Sequence, residues 1–362
     1  MSNLHIANVY FESELIANDL KVVEDELQKS LIYLQLQFLP FLYAEPEDTI
    51  MITHPPEEEF FERLDHLGIP IPHWQFFKTP LKGEFKRVHY WGASNRIRSI
   101  VNDICPQQLL PPWDLTKTIN SKAFSSLFSD GSLSSRLIHN KEELCHFLAS
   151  ESYPLVLKTL MGVSGRGHFI LRSKDDPYHQ DVEKWAYNEW VSNRPVLGEL
   201  WVERVLDFST QWVIEGQNQI EYKGVTICEN NHRGQYCSSI VGDLSYDLDP
   251  YKEKFASHIT KTKEILNDIS LKGYIGDIGV DSMIFYDRKG DIRLQLIVEI
   301  NARKTMGRVA LSFMQKHCQS CRKIKLSYKN SNDEGVNLLP TQLKSYGRSI
   351  TFKKNLKFHP LF

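Results

Sequence analysis

At 362 residues, 41% hydrophobic and 24% charged, the chain is too long for one compact core and has the composition of an ordered globular protein of two or three domains, not of a disordered one. Its 43 lysines and arginines against 45 aspartates and glutamates give a net charge of -2, so there is no electrostatic case for nucleic acid or an anionic membrane as partner. Six cysteines, four of them scattered at 105, 145, 228 and 237, read as reduced thiols rather than a disulfide framework.

Residues 1–20 carry Glu12, Glu14 and Asp19 and lack the basic opening of a secretory leader. The apolar run 31–44 contains Gln35, Gln37 and Pro40 and falls short of the ~20 apolar residues that cross a bilayer. The expected compartment is the cytoplasm, with no membrane partner. An amphipathic helix over 11–30, a strand over 48–53 and an acidic helix over 56–67 make residues 1–114 an alternating α/β front domain. The segment Trp91-Gly-Ala-Ser-Asn-Arg96 reads as a loop with a turn-forming glycine. Pro111 and Pro112 interrupt regular structure and place a boundary there, followed by units at 115–205 and 206–362.

Within the second unit, residues 155–171 (LVLKTLMGVSGRGHFIL) read as strand, glycine loop, strand. Gly162, Ser164, Gly165 and Gly167 let backbone N–H groups approach phosphate oxygens, and Lys158 at the end of the entering strand brings an ammonium to the same place. His168 stands where a Walker A loop has Lys-Ser or Lys-Thr, and no helix opens after the glycines as a dinucleotide fingerprint requires. Such a loop would act as a flap over phosphates; a plain glycine hairpin is the alternative.

The most informative stretch is 294–307 (LQLIVEINARKTMG), where Glu299, Asn301 and Arg303 recur at every second position and share one face of a strand. The opposite parity, Leu294, Leu296, Val298 and Ile300, is apolar and faces a core. A strand over 279–286 precedes it, with a turn at 287–291, and folding the chain about residue 290 sets Asp281 opposite Glu299. Facing carboxylates ~5 Å apart repel unless a cation lies between them. Asp281, Glu299 and the Asn301 amide are too few ligands for a calcium cage but suit Mg²⁺, which completes its shell with water and nucleotide phosphates, so the set implies ATP. Solvated acids on a surface hairpin are the competing reading. Beyond this strand, residues 308–316 read as a helix, Arg322, Lys323, Lys325 and Lys329 as a solvated basic face, and 349–352 as an edge strand. Cys318 and Cys321, with His317 beside them, form half a zinc site without a visible second half.

The ordered set of Lys122, Lys158 with its glycine loop, LWVERVL at 200–206, GYIGDIGVD at 273–281 and EINAR at 299–303 resembles the ATP-grasp superfamily over roughly residues 115–315. The resemblance implies an α/β (α+β) ATP-grasp fold, with nucleotide held between two α+β subdomains and a smaller α/β pre-ATP-grasp domain in front. It implies that Lys122 and Lys158 contact the α- and β-phosphates, that Glu203, Arg204 and Val205 form the hinge that pairs with adenine, and that Asp281, Glu299 and Asn301 hold Mg²⁺, with Mn²⁺ able to substitute. Arg303 matches a basic residue facing the transferred phosphate. Arg233, in the segment 229–236, is the candidate that meets an acyl-phosphate, or else a lone surface arginine. Asp207, Thr210 and Gln211 stand where the family often places a ribose-binding acid. The loop 91–96 would line the second-substrate site.

The activity implied is an ADP-forming carboxylate-amine ligase that works through an acyl-phosphate, with small-molecule or peptide acid and amine substrates. Arg303, Arg233 and Lys158 would be its catalytic residues. A phosphotransferase acting on a hydroxyl and a non-catalytic nucleotide-binding module are the alternatives. Many family members are dimers, and nothing in this chain decides for or against a homodimer.

Overall fold

The computed structural model describes residues 2–17, 30–77, 84–129, 133, 135–162, 167–345 and 348–361. Strands β1 (Ser2–Ile6), β2 (Thr49–Ile52), β3 (His73–Phe76) and β4 (Phe85–Tyr90) form an all-parallel sheet in the order β3-β2-β1-β4. Parallel neighbours need crossovers, and helices Glu58–His66 and Asn95–Ile104 lie between and after these strands as α/β alternation requires. The expected acidic helix and strand are present. The expected continuous helix over 11–30 is not found: a helix spans only Phe11–Ile16, Ala17 turns extended and ends it, and residues 18–29 lie outside the described residues.

Residues 135–200 form an antiparallel sheet, β5 (Ser135–Ile138), β6 (Leu155–Thr159), β7 (His168–Leu171) and β8 (Val196–Leu200), in the order β5-β8-β6-β7. Helices Lys141–Ser150 and His179–Val191 close one side over Leu144, Phe147, Leu157 and Val182. Asn140 caps the first helix by accepting from Glu143 N at 2.9 Å, while Glu143 reaches back to His139 N at 2.8 Å, so two orphan helix-end donors are satisfied reciprocally.

The third sheet has eight strands in the order β13-β12-β9-β10-β11-β14-β18-β15, its paired neighbours antiparallel. Its long members are β9 (Glu203–Gly216), β10 (Gln219–Asn230), β11 (Tyr236–Gly242), β12 (Gly276–Tyr286) and β13 (Ile292–Asn301). Helix Lys252–Leu271 covers the face that carries Thr210, Trp212 and Ile278, whereas helix Met306–His317 crosses the other. Gly279 and Gly307 allow that second approach: a Cβ on Gly279 would lie 2.6 Å from Thr305 Cγ2, and one on Gly307 2.9 Å from Gln211 Nε2.

The C-terminal strands β14 (Lys323–Asn330), β15 (Val336–Asn337) and β18 (Lys354–Leu361) extend this sheet, and β16 (Gln342–Ser345) pairs with β17 (Arg348–Thr351). Their residues share one hydrophobic core with the front region: Phe38, Phe41 and Phe60 join Val309, Phe313, Ile324 and Leu356, all essentially buried. Burial of each such side chain stabilises by ~2 kcal/mol. Polar contacts seal the junction, with Gln35 Nε2 donating to Pro340 O at 2.8 Å and Glu57 accepting from Thr341 N at 2.7 Å. Three members of the basic run are paired: Arg322 meets Asp243 at 3.0 Å, Lys323 meets Asp247 at 2.5 Å, and Lys325 meets Glu229, while Lys329 is exposed.

Candidate active site

β12 and β13 pair with Asp281 directly opposite Glu299 and Gly279 opposite Asn301. Near the turn, however, the register differs by two residues, Met283 opposing Gln295 and Ile284 opposing Leu294. A bulge absorbs the difference by setting residues 296–298 against the single residue Ser282. Without it Asp281 would face Ile297. The bulge also breaks the simple alternation expected for β13: Leu296 and Ile297 both enter the core, and Val298 packs beside Met283 and Phe285. Its carbonyls are satisfied, since Ser282 Oγ donates to Leu296 O at 2.7 Å and Gln295 Nε2 to Ile297 O at 2.9 Å.

The two facing acids carry unequal environments. Burial first and the Glu299 charge second push the Asp281 carboxyl up to about 6, against hydrogen bonds from Ser209 and Asn301 and the nearby charge of Arg303. Glu299 accepts from Lys122 Nζ at 2.7 Å. Asn301 Nδ2 donates to Asp281 at 3.0 Å while its oxygen accepts from Arg303 Nη2 at 3.0 Å, so a half-turn of the amide is needed before that oxygen can face a cation beside Asp281. Two carboxylates with one amide fit Mg²⁺ completed by water and phosphate oxygens. Among the described residues no set of three or more His, Cys, Asp or Glu gathers, and Cys318 and Cys321 are free thiols.

The second subdomain brings cations toward this face. Lys122 opens helix Lys122–Ser126, and its backbone N–H donates to Leu160 O at 2.9 Å, beside the glycine loop. Lys158 faces His168 across β6–β7 and pairs with Glu199. Gly167, at φ +77°, ends the loop, and Gly162 begins it; Ser164 and Gly165 lie outside the described residues. The expected flanking strands are found as the antiparallel pair β6–β7. His168 Nε2 donates to the Arg233 carbonyl at 2.6 Å, and its ring stacks on Trp201 with centroids 6.3 Å apart. Its pKa is lowered by burial first, against the hydrogen bond to the Arg233 carbonyl, with the more distant charges of Lys158, Arg204 and Lys122 adding to the lowering. The Arg233 side chain itself is exposed.

A cavity of about 500 Å³ opens beside these groups, lined by Trp201, Glu203, Arg204, Val205, Asp207 and Asn230 among others. The whole expected hinge lines it. Arg204 lies over the Trp201 ring at 4.8 Å and donates to Asp207 at 3.1 Å, and Asn230 Nδ2 donates to Asp207 at 2.8 Å. Of the three candidates for a ribose contact only Asp207 reaches the cavity wall, while Thr210 and Gln211 are buried in the sheet.

Arg303 connects the metal strand to the front region. Its Nε lies 2.5 Å from Glu12 Oε1, and its guanidinium stands 5.8 Å from the Trp91 ring centroid. The start of the expected loop, Trp91, therefore lies beside Arg303, while Asn95 and Arg96 open helix Asn95–Ile104 instead of continuing the loop; the backbone is pinned by Asn8, which accepts from Trp91 N at 2.9 Å and Gly92 N at 3.2 Å. Glu12, Glu199, Trp201 and His168 escape sequence reasoning because each acquires its partner only through tertiary register. Glu12 in particular reads from sequence as one more acid near the N-terminus.

No protein-family model matches the sequence, and neither does any curated protein. Solved structures do match. The biotin carboxylase domain of 2-oxoglutarate carboxylase from Hydrogenobacter thermophilus, a dimer in complex with MgADP, ADP and bicarbonate, aligns at TM-score 0.52 and 13% identity over 87% of this chain and 86% of that one. N5-carboxyaminoimidazole synthetase from Staphylococcus aureus aligns at TM-score 0.51 and 12% identity over 99% of this chain and 92% of that one. At such identities the likeness is one of architecture, and it extends across the parallel front sheet as well as the two antiparallel units. The chain has the ATP-grasp fold.

Proposed function

We propose that the protein is an ATP-dependent ligase that joins a carboxylate to an amine and releases ADP and phosphate. The observation that supports this most is Asp281 facing Glu299 across β12–β13, with Lys122 on Glu299 and Arg204 in the wall of a cavity of about 500 Å³. Mg²⁺, or Mn²⁺ in its place, would be held by Asp281, Glu299 and the turned Asn301 amide, and would neutralise charge on phosphate oxygens. The backbone of Glu203, Arg204 and Val205 would hold adenine, and Lys122 and Lys158 would leave their carboxylate partners for phosphates. Gly162, Ser164, Gly165 and Gly167 would close over them.

In the first step an oxygen of the substrate carboxylate bonds to the γ-phosphorus while the bond from that phosphorus to the bridging oxygen breaks and ADP departs. Positioning and charge neutralisation carry such a transfer, and Arg303 stands next to the acid pair to offset the moving charge. The amine nitrogen then bonds to the acyl carbon, phosphate leaves with the former carboxylate oxygen, and the nitrogen gives up a proton. Arg303 or Arg233 would neutralise the oxyanion between these events. Because an acyl-phosphate hydrolyses readily, exclusion of water by the glycine flap is part of the chemistry.

The test is ADP release from MgATP with paired panels of acids and amines, alongside MgADP titration read by Trp201 fluorescence with Trp201→Phe as control. ADP release that requires both an acid and an amine, and that Glu299→Gln abolishes, is the expected result. A phosphate ester formed on a hydroxyl acceptor would make the protein a phosphotransferase, and absence of MgADP binding would overturn the nucleotide site itself.

A further inference from the structure

In the order β3-β2-β1-β4 the connections reverse direction between β1 and β4, and in open parallel sheets a ligand crevice forms at the carboxyl ends of the strands flanking such a reversal. Here those ends carry residues 7–14 and 91–96, and the Glu12–Arg303 ion pair shows that they face the metal strand.

Glu14 is 4% exposed, yet neither of its carboxylate oxygens has a hydrogen-bond partner among the described residues. A buried ionised carboxylate left in this state is costly. The nearest neutral donors, Ser94 and Asn8, lie close enough to lower its pKa but short of hydrogen-bond geometry, and both have other duties: Asn8 holds the backbone of Trp91 and Gly92, and Ser94 Oγ caps helix Asn95–Ile104 by accepting from Ile97 N at 3.3 Å. The charge of Glu12 adds repulsion, and Arg96 acts on Glu14 only through space, its guanidinium lying 6.0 Å from the Tyr10 ring centroid. Arg303 serves Glu12 rather than Glu14. What the pocket lacks is one cation that can donate hydrogen bonds.

We propose that Glu14 receives a positively charged nitrogen of the second substrate, an ammonium seated in the crevice between the ends of β1 and β4 and Arg303. This rests on the ligase reading and narrows it: the co-substrate enters as an ammonium compound on the front-region side, opposite the adenine cavity. The anionic partner is then left to Arg303. The raised Glu14 pKa, about 7 and due first to burial, agrees with a carboxylate awaiting a counter-ion.

Ethylammonium chloride serves as probe, with sodium chloride and ethanol as controls at matched ionic strength, in protein carrying glutamate labelled at the side-chain carboxyl carbon. The Glu14 signal is assigned by its loss in Glu14→Gln. We expect ethylammonium to shift that signal saturably and to lower its titration midpoint by at least one pH unit, a tenfold preference for the ionised form, with no response to ethanol. Glu14→Asp, which keeps the charge on a shorter arm, should retain a weaker response, seen as ethylammonium protection against thermal unfolding that Glu14→Gln lacks. Both variants should bind MgADP within twofold of the parent. Normal MgADP binding with an unmoved Glu14 signal would overturn the proposal. Failure of MgADP binding with the Glu14 response intact would instead overturn the ligase reading and leave the ammonium site standing.

Discussion

Asp277 and Asp281 lie four residues apart on β12, so their side chains share a sheet face, and the fold treats them in opposite ways. Asp277 meets Lys304 Nζ at 3.5 Å and Arg308 Nε at 3.3 Å. Burial alone would raise its pKa, but those two cations outweigh burial and hold the carboxyl below its usual range. Asp281 meets a second acid instead, and burial together with the Glu299 charge lifts it to about 6. Counter-ions given to one acid and withheld from its neighbour separate an acid that joins elements from one kept available to an external cation.

The largest effect should come from cancelling the charge on the available side. Asp281→Asn or Glu299→Gln should lower MgATP turnover by about a thousandfold. For Asp281→Asn the urea midpoint should hold or rise, because one of two facing like charges is gone, whereas Glu299→Gln also takes the partner from Lys122 and should lower it slightly. Should Asp281→Asn instead destabilise the protein while turnover persists, the acid would be a structural one like Asp277 and the contrast would collapse.

Glu14 extends the contrast to the front region, and pH exposes it. Its folded pKa of about 7 lies above the ordinary 4.5, so its contribution to stability is fully present below pH 4.5 and is lost as pH rises through 7. Glu14→Gln should therefore be more stable than the parent at pH 8 by up to about 3 kcal/mol, with the gap shrinking toward pH 5. Paired urea titrations at the two pH values read this directly. A variant less stable than the parent at pH 8 would show that Glu14 has a partner.

Local chemistry made part of this legible in the sequence, and tertiary register hid the rest. Glu299 and Asn301 announce a polar face because strands alternate, whereas Arg303, expected next on that face, falls in a bend past the end of β13; the Asp and Gly content of 287–291 announces the turn. The bulge that makes Asp281 face Glu299 leaves no periodic trace, since Leu296, Ile297 and Val298 are apolar whichever way they point. The two strands that flank the glycines could be read from their apolar runs. The pairing of Lys158 with Glu199 could not, because it depends on how β6 lies against β8. In the same way the α/β order of residues 1–114 was visible, but the core they share with Val309, Ile324 and Leu356 joins positions hundreds of residues apart.

On the structural side of the comparison, Asp277→Asn removes the acid shared by Lys304 and Arg308 and leaves two largely buried cations facing a neutral amide. A loss of about 2 kcal/mol is expected, below the full cost of breaking a wholly buried pair because the site is partly solvated. MgADP affinity should stay within a few-fold. A larger change in nucleotide binding than in urea midpoint would place Asp277 with Asp281.

The smallest effect isolates the bulge from both acids. His258, fully buried, donates from Nδ1 to Leu296 O at 3.2 Å and accepts at Nε2 from Thr210 Oγ1 at 2.9 Å, and burial pushes its pKa down to about 4, so it is neutral and its partners fix the tautomer. Ser282 Oγ shares the same carbonyl, so loss of the imidazole loosens the bulge without abolishing it. His258→Leu should therefore raise the Mg²⁺ concentration needed for half-maximal ADP binding by about tenfold, roughly 1.4 kcal/mol. ADP affinity without Mg²⁺ should be unchanged, since the residues proposed to hold adenine, Glu203 to Val205, line a cavity that His258 does not touch. His258→Gln, which can still donate to Leu296 O, should recover most of the difference. A general weakening of the sheet would depress both affinities together, so equal loss with and without Mg²⁺ would remove the bulge from the account of how Asp281 and Glu299 are brought face to face.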